Sequence, residues 1–179
     1  MDWYPKARRL DSPHHNERPV GCAVDTVVLH NISLPPNAFG TGAIEALFTG
    51  TLDPRAHPWF ERLAGVEVSA HILIKRSGEL CQFVPFSGRA WHAGRSSFQG
   101  RQGLNDNSIG VELEGADHLP FTDAQYSGLA ELACWLAEHW ALSPEQITAH
   151  ETIAPFRKTD PGPGFDWQHF YGFLLETMS

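Results

Sequence analysis

Asp25-Thr26-Val27-Val28-Leu29-His30-Asn31 is the stretch that decides the fold. A short apolar run rich in β-branched residues, with no helical period, reads as a buried strand. Its polar end, His30-Asn31, falls where the chain leaves the sheet, and Pro35-Pro36 stops further pairing. Working outward, Val66, Val68, Ala70, Ile72 and Ile74 alternate with polar residues, which predicts a strand with one buried face. Ser77-Gly78 supplies a turn before a second strand over Leu80–Val84, so a hairpin is expected. Ser108–Glu114 reads as another strand, and Ile147–His150 as a short one. Thr122 and Gln125 form a capping-box pattern. Tyr126, Leu129, Ala133, Leu136 and Trp140 then recur at spacings of three and four, which makes one apolar helix face. A terminal helix with Asp166 as N-cap buries Trp167, Phe170 and Leu174. The expected fold is α/β, a single domain with a mixed central sheet flanked by helices. Pro35–Trp59 is loop-rich, with a short helix near Ala43–Phe48, and is a candidate lid.

The whole chain agrees. Its 179 residues suffice for one cored domain spanning 1–179. A formal charge of −8 and no Lys/Arg stripe argue against nucleic acid as a partner. Cys22, Cys81 and Cys134 match neither a zinc knuckle nor a disulfide framework, and none lies in a nucleophile context. The stretch Met1–Arg9 has no apolar core of a signal peptide, and no run spans a membrane. A reducing cytoplasm is the expected compartment.

Two imidazoles and a carboxylate, His30, His150 and Asp160, are a ligand set for a catalytic zinc with one position open to water. The competing reading of His30 is a core histidine bonded to backbone. Lys158 and Asp160 precede Pro161, which favours extended backbone, so their side chains face one way. Lys158 would then stabilise an oxyanion beside the metal; the plainer reading is an exposed ion pair. Val111-Glu112-Leu113-Glu114 puts two carboxylates on one strand face, either of which could serve as general base or simply be solvated. Trp91 and His92, in Trp91-His92-Ala93-Gly94, could line a pocket for a sugar or peptide, or anchor a loop. Asn31 could bond a substrate amide or cap the strand. His14, His15, His118, His139 and His169 lack cooperating neighbours.

Several motifs in order carry a resemblance. They are Val28-Leu29-His30-Asn31-Ile32-Ser33-Leu34-Pro35-Pro36, Val68-Ser69-Ala70-His71, Arg89-Ala90-Trp91-His92-Ala93-Gly94, Ile109-Gly110-Val111-Glu112-Leu113-Glu114-Gly115 and Arg157-Lys158-Thr159-Asp160-Pro161-Gly162-Pro163. From about Arg8 to Phe170 the chain resembles the cytoplasmic 1,6-anhydro-N-acetylmuramoyl-L-alanine amidases of the AmpD type. The wider superfamily is similar to peptidoglycan recognition proteins and phage amidases. The resemblance implies a mixed sheet with zinc in a surface groove, ligated by His30, His150 and Asp160. It implies Glu112 as general base and Lys158 as transition-state stabiliser. It implies hydrolysis of the lactyl–L-alanine amide of anhydro-muropeptides, a small-molecule substrate, in cell-wall recycling. A monomer is the expected state of the chain. The chain departs from the pattern at Glu67 and at Gly103-Leu104, where some members carry arginines suited to stem-peptide carboxylates. A muropeptide receptor without catalysis would have no chemical need for all five residues. A lytic role on intact wall would call for a signal peptide and a wall-binding domain.

Overall fold

The apolar run forms a strand over Thr26–Ile32, and that strand lies fifth of six in the main sheet, with a parallel neighbour on each side. The structure is a computed structural model that describes residues Met1–Ser179. In chain order its elements are β1 (Arg8–Arg9), β2 (His15–Glu17), β3 (Thr26–Ile32), α1 (Ala43–Phe48), β4 (Ile72–Ile74), β5 (Leu80–Gln82), β6 (Gly88–Ala90), β7 (Ser97–Phe98), β8 (Arg101–Gln102), β9 (Ser108–Glu114), α2 (Asp123–Trp140), β10 (Ile147–Ala149), α3 (His150–Ile153) and α4 (Trp167–Thr177). Six strands make one mixed sheet in the order β1-β5-β4-β9-β3-β10. Only the β4–β5 pair, the expected hairpin, is antiparallel in it. β2 with β6 and β7 with β8 form two small ribbons.

Side chains alternate across the sheet, and the two faces are covered differently. Val27, Leu29, Ile109, Val111 and Leu113 face a large apolar cluster with Leu129, Leu136, Phe170 and Leu174 of α2 and α4. On the other face, α1 buries Ile44, Leu47 and Phe48 against Leu73 and Phe83. A smaller cluster there joins Val28 to Leu104 and Ile153. His30 and Glu112 lie on this second face, beyond Val28 and its register partner Gly110.

One sequence expectation needs correction. The alternation over Val66–Ile74 yields a strand only at Ile72–Ile74, and all three of its residues are buried. Ser69 and His71 are buried as well, while Val66 is exposed. The physical reason is polar satisfaction within a segment covered on both sides. Ser69 Oγ donates to His14 O at 2.6 Å, and His71 Nδ1 accepts from Gly110 N at 2.9 Å. Polar identity therefore did not mark a solvent face.

The capping box does more than start α2. Thr122 Oγ1 accepts from Gln125 N at 3.2 Å and donates to Arg76 O at 2.8 Å. Gln125, fully buried, donates to Ile74 O at 3.1 Å and Glu114 O at 2.9 Å, tying the helix start to β4 and β9. Thr122→Ala is expected to cost roughly 1–2 kcal/mol. An unchanged urea midpoint would show that the cap is not coupled to the sheet.

Candidate metal centre

The register of the parallel strands assembles the site. His30 and Glu112 are direct partners on β3 and β9. β10 runs beside β3 with Ala149 opposite Leu29, so His150, the next residue, falls level with His30. All three sit at carboxyl ends of strands, where open α/β sheets form their crevices. The 158–164 loop then folds over that end and delivers Lys158 and Asp160. Glu151 N donates to Asp160 O at 2.9 Å, which fixes this loop to the start of α3.

His30 Nδ1 lies 2.8 Å from His150 Nδ1 and 3.2 Å from Asp160 Oδ2, and His150 Nδ1 lies 2.9 Å from the same oxygen. Three electron-rich atoms this close repel one another unless a proton or cation lies between them. Both histidines are 1% exposed, so water cannot relieve that repulsion. Burial pushes the His30 imidazole down to about 4, which keeps it a neutral donor. Two neutral imidazoles and one carboxylate fit a zinc ion and leave a coordination position free. On the far side of its ring, His150 Nε2 donates to Ala93 O at 3.3 Å, so Nδ1 presents its lone pair to the cluster.

The two glutamates left open by strand alternation are separated by their partners. Glu114 is 3% exposed, accepting from Gly40 N at 2.6 Å and Arg76 N at 3.0 Å. It ties down the loop before α1 and the β4–β5 turn. Glu112 has no such work: its Oε2 is buried without any partner. Burial and the nearby charge of Asp160 raise its pKa well above the ordinary range. Neither residue is a solvated strand-face carboxylate. Nor does Lys158 close an ion pair with Asp160, whose carboxylate lies instead against the two histidines.

All eight candidate residues line one cavity of about 240 Å³: His30, Asn31, Trp91, His92, Glu112, His150, Lys158 and Asp160. Ile32, Phe48, Val68 and Ser69 complete its wall. A larger cleft of about 760 Å³ between Gly94–Ser97 and Ile153–Arg157 holds no histidine, cysteine or carboxylate, so chemistry rather than size selects the smaller one. Trp91 is braced, its Nε1 donating to Asn16 Oδ1 at 2.7 Å. Asn31 uses its amide protons internally, on Asp117 Oδ1 at 2.6 Å and Pro161 O at 3.0 Å. Both ring nitrogens of His92 are engaged within the protein, with His30 Nε2 at 2.9 Å and Ser108 Oγ at 3.2 Å.

Sequence reasoning missed Asp117. Its carboxylate takes Asn31 on one oxygen and Thr159 Oγ1, at 2.5 Å, on the other. It thereby links the residue after His30 to the residue between Lys158 and Asp160. A lone aspartate in a turn carries no local signal of that role.

The protein family described as N-acetylmuramoyl-L-alanine amidase matches residues 20–163, and this chain belongs to it. The chain is similar to the 1,6-anhydro-N-acetylmuramyl-L-alanine amidase AmpD of Citrobacter freundii, being 55% identical over 168 residues that cover 94% of this chain and 90% of the relative. A crystal structure of a selenomethionine derivative of AmpD is 53% identical and gives a TM-score of 0.93 over 96% of each chain. The complex of the Escherichia coli amidase AmiD with anhydro-N-acetylmuramic acid-L-Ala-D-gamma-Glu-L-Lys is 28% identical, with a TM-score of 0.60, covering 88% of this chain and 60% of that one.

Proposed function

We propose that this chain, as one zinc amidase domain over 1–179, hydrolyses the amide joining the lactyl group of (1,6-anhydro-)N-acetylmuramic acid to L-alanine in muropeptides. The observation that carries this reading is the closed triangle of His30, His150 and Asp160 beside an unpartnered Glu112 and an unpaired Lys158. His30, His150 and Asp160 would hold the metal. When bound, zinc supplies an acidified water and polarises the scissile carbonyl. Glu112 takes the proton of the attacking water and returns it to the alanine nitrogen as that leaves. Its Oε2 has no protein partner and lies in the same cavity as the three would-be ligands, free to carry that proton. Lys158 faces the carbonyl oxygen as charge builds on it. The braced indole of Trp91 offers a flat wall for the sugar or lactyl part of the substrate, and Asn31 and His92 hold the pocket behind it.

Recycling of wall fragments in the cytoplasm is the setting we propose. No helix is long and apolar enough to cross a membrane. All three cysteines are free thiols, as a reducing compartment favours.

The test is mass spectrometry of anhydro-muropeptide and intact murein digests, with and without chelator. Anhydro-muropeptide should split into anhydro-N-acetylmuramic acid and a stem peptide with an L-alanine N-terminus. Chelator should abolish the split and added zinc restore it. Cleavage at another bond, or full activity in excess chelator, would sink the proposal. Binding without any product would favour a receptor instead.

A further inference from the structure

We infer that His92 and Ser108 form a proton-ordering relay that holds His30 in its metal-binding tautomer, which makes His92 a positioning residue rather than a substrate contact. The inference rests on the proposed zinc role of His30. It begins at a residue with no freedom. Ser108, fully buried at the start of β9, has a single hydroxyl proton and two neighbours, Leu104 O and His92 Nε2. A carbonyl can only accept, so the proton goes to Leu104 O. Ser108 Oγ must then accept from His92 Nε2–H, at 3.2 Å. A neutral imidazole carries one proton, so His92 Nδ1 is a bare lone pair. It faces His30 Nε2 at 2.9 Å, and that contact is a hydrogen bond only if His30 Nε2 donates. His30 Nδ1 is left bare, and it is the atom aimed at His150 and Asp160.

The packing is built around this chain of bonds. A Cβ on Gly110 would lie 2.4 Å from His92 Cγ, so only glycine lets the ring lie against β9. Asn105 Oδ1 accepts from His92 N at 3.1 Å and Ala93 N at 2.7 Å, fixing the backbone that carries the ring. The rings of His30 and His92 meet edge to face, 5.0 Å apart. His92 borders the cavity, but both its ring nitrogens are taken within the protein, so it offers a ligand no free nitrogen.

The experiment combines nitrogen-15 NMR of the histidine rings, near neutral pH, with zinc affinity from competition against a chromogenic chelator. In the parent protein, metal-free and zinc-loaded, His92 should be protonated on Nε2 alone. Ser108→Ala and His92→Phe should each weaken zinc binding roughly 10–100-fold. Ser108→Thr keeps the hydroxyl, and His92→Asn offers an acceptor where Nδ1 stood; both should bind zinc close to parent. A His92 protonated on Nδ1 overturns the relay. So does equal zinc affinity across the four variants, or equal losses in all four. A parent that binds no zinc would instead sink the proposed function, and the metal-free spectrum would still read the relay.

Discussion

Glu112→Gln is expected to lower turnover roughly a hundred- to ten-thousand-fold while zinc content stays at the parent level. The substitution keeps shape and removes only the ability to carry the proton. It should also leave the fold as stable as before or more so, because the Glu112 Oε2 has no partner to lose. The sign follows from linkage. Burial raises the folded-state pKa, so above the unfolded-state value the folded protein binds more protons than the unfolded one, and stability falls as pH rises. In metal-free protein, that decline should flatten in Glu112→Gln. Lys158→Ala, removing charge from the same cavity, should cost roughly a hundred- to thousand-fold in turnover. Denaturant melts across pH alongside steady-state rates check both; a Glu112→Gln enzyme as fast as its parent would remove the proposed base.

Gly162→Ala is expected to lower stability by roughly 2–5 kcal/mol and to take activity with it. Gly162 has φ +76°, and an added Cβ would sit 2.5 Å from Asp117 Cα. Asp117 has nowhere to retreat. Its carboxylate is held by Asn31 and Thr159, and its carbonyl accepts from Gly164 N at 2.6 Å. The clash must therefore move the 158–164 loop, which carries both Lys158 and Asp160. Melting should fall by roughly 5–15 °C. A parent-like melting temperature with parent-like zinc affinity would show that the loop is not clamped as tightly as these contacts imply.

What could be read from the chain follows the strength of the local signal. β3, β9, α1 and α2 were legible because apolar runs, helical spacing and a capping box are written in consecutive residues. The ribbons β2–β6 and β7–β8 were not, since two or three polar residues carry no period. The Val66–Ile74 alternation misled because Ser69 and His71 are buried polar residues with internal partners. For the site, ligand chemistry could nominate His30, His150 and Asp160, but nothing local joins residues 120 and 130 positions apart. Register does that, and register is not visible in either strand alone. Glu112 and Glu114 share a strand face, so alternation could not rank them; main-chain partners on Glu114 do.

The pairing of His30 with Glu112 has a consequence for how this scaffold can change. Neighbouring strands are held about 4.8 Å apart by the backbone ladder, whatever their side chains. The separation between the proposed metal ligand and the proposed proton carrier is thus a property of the sheet, while the 158–164 loop is attached outside that ladder. Trp91, which lines the cavity from outside that ladder, is a position where substitution is a route to new substrate preference that leaves the strand spacing untouched. A one-residue slip of β9, by contrast, would turn Ser108, Gly110, Glu112 and Glu114 into the apolar core together.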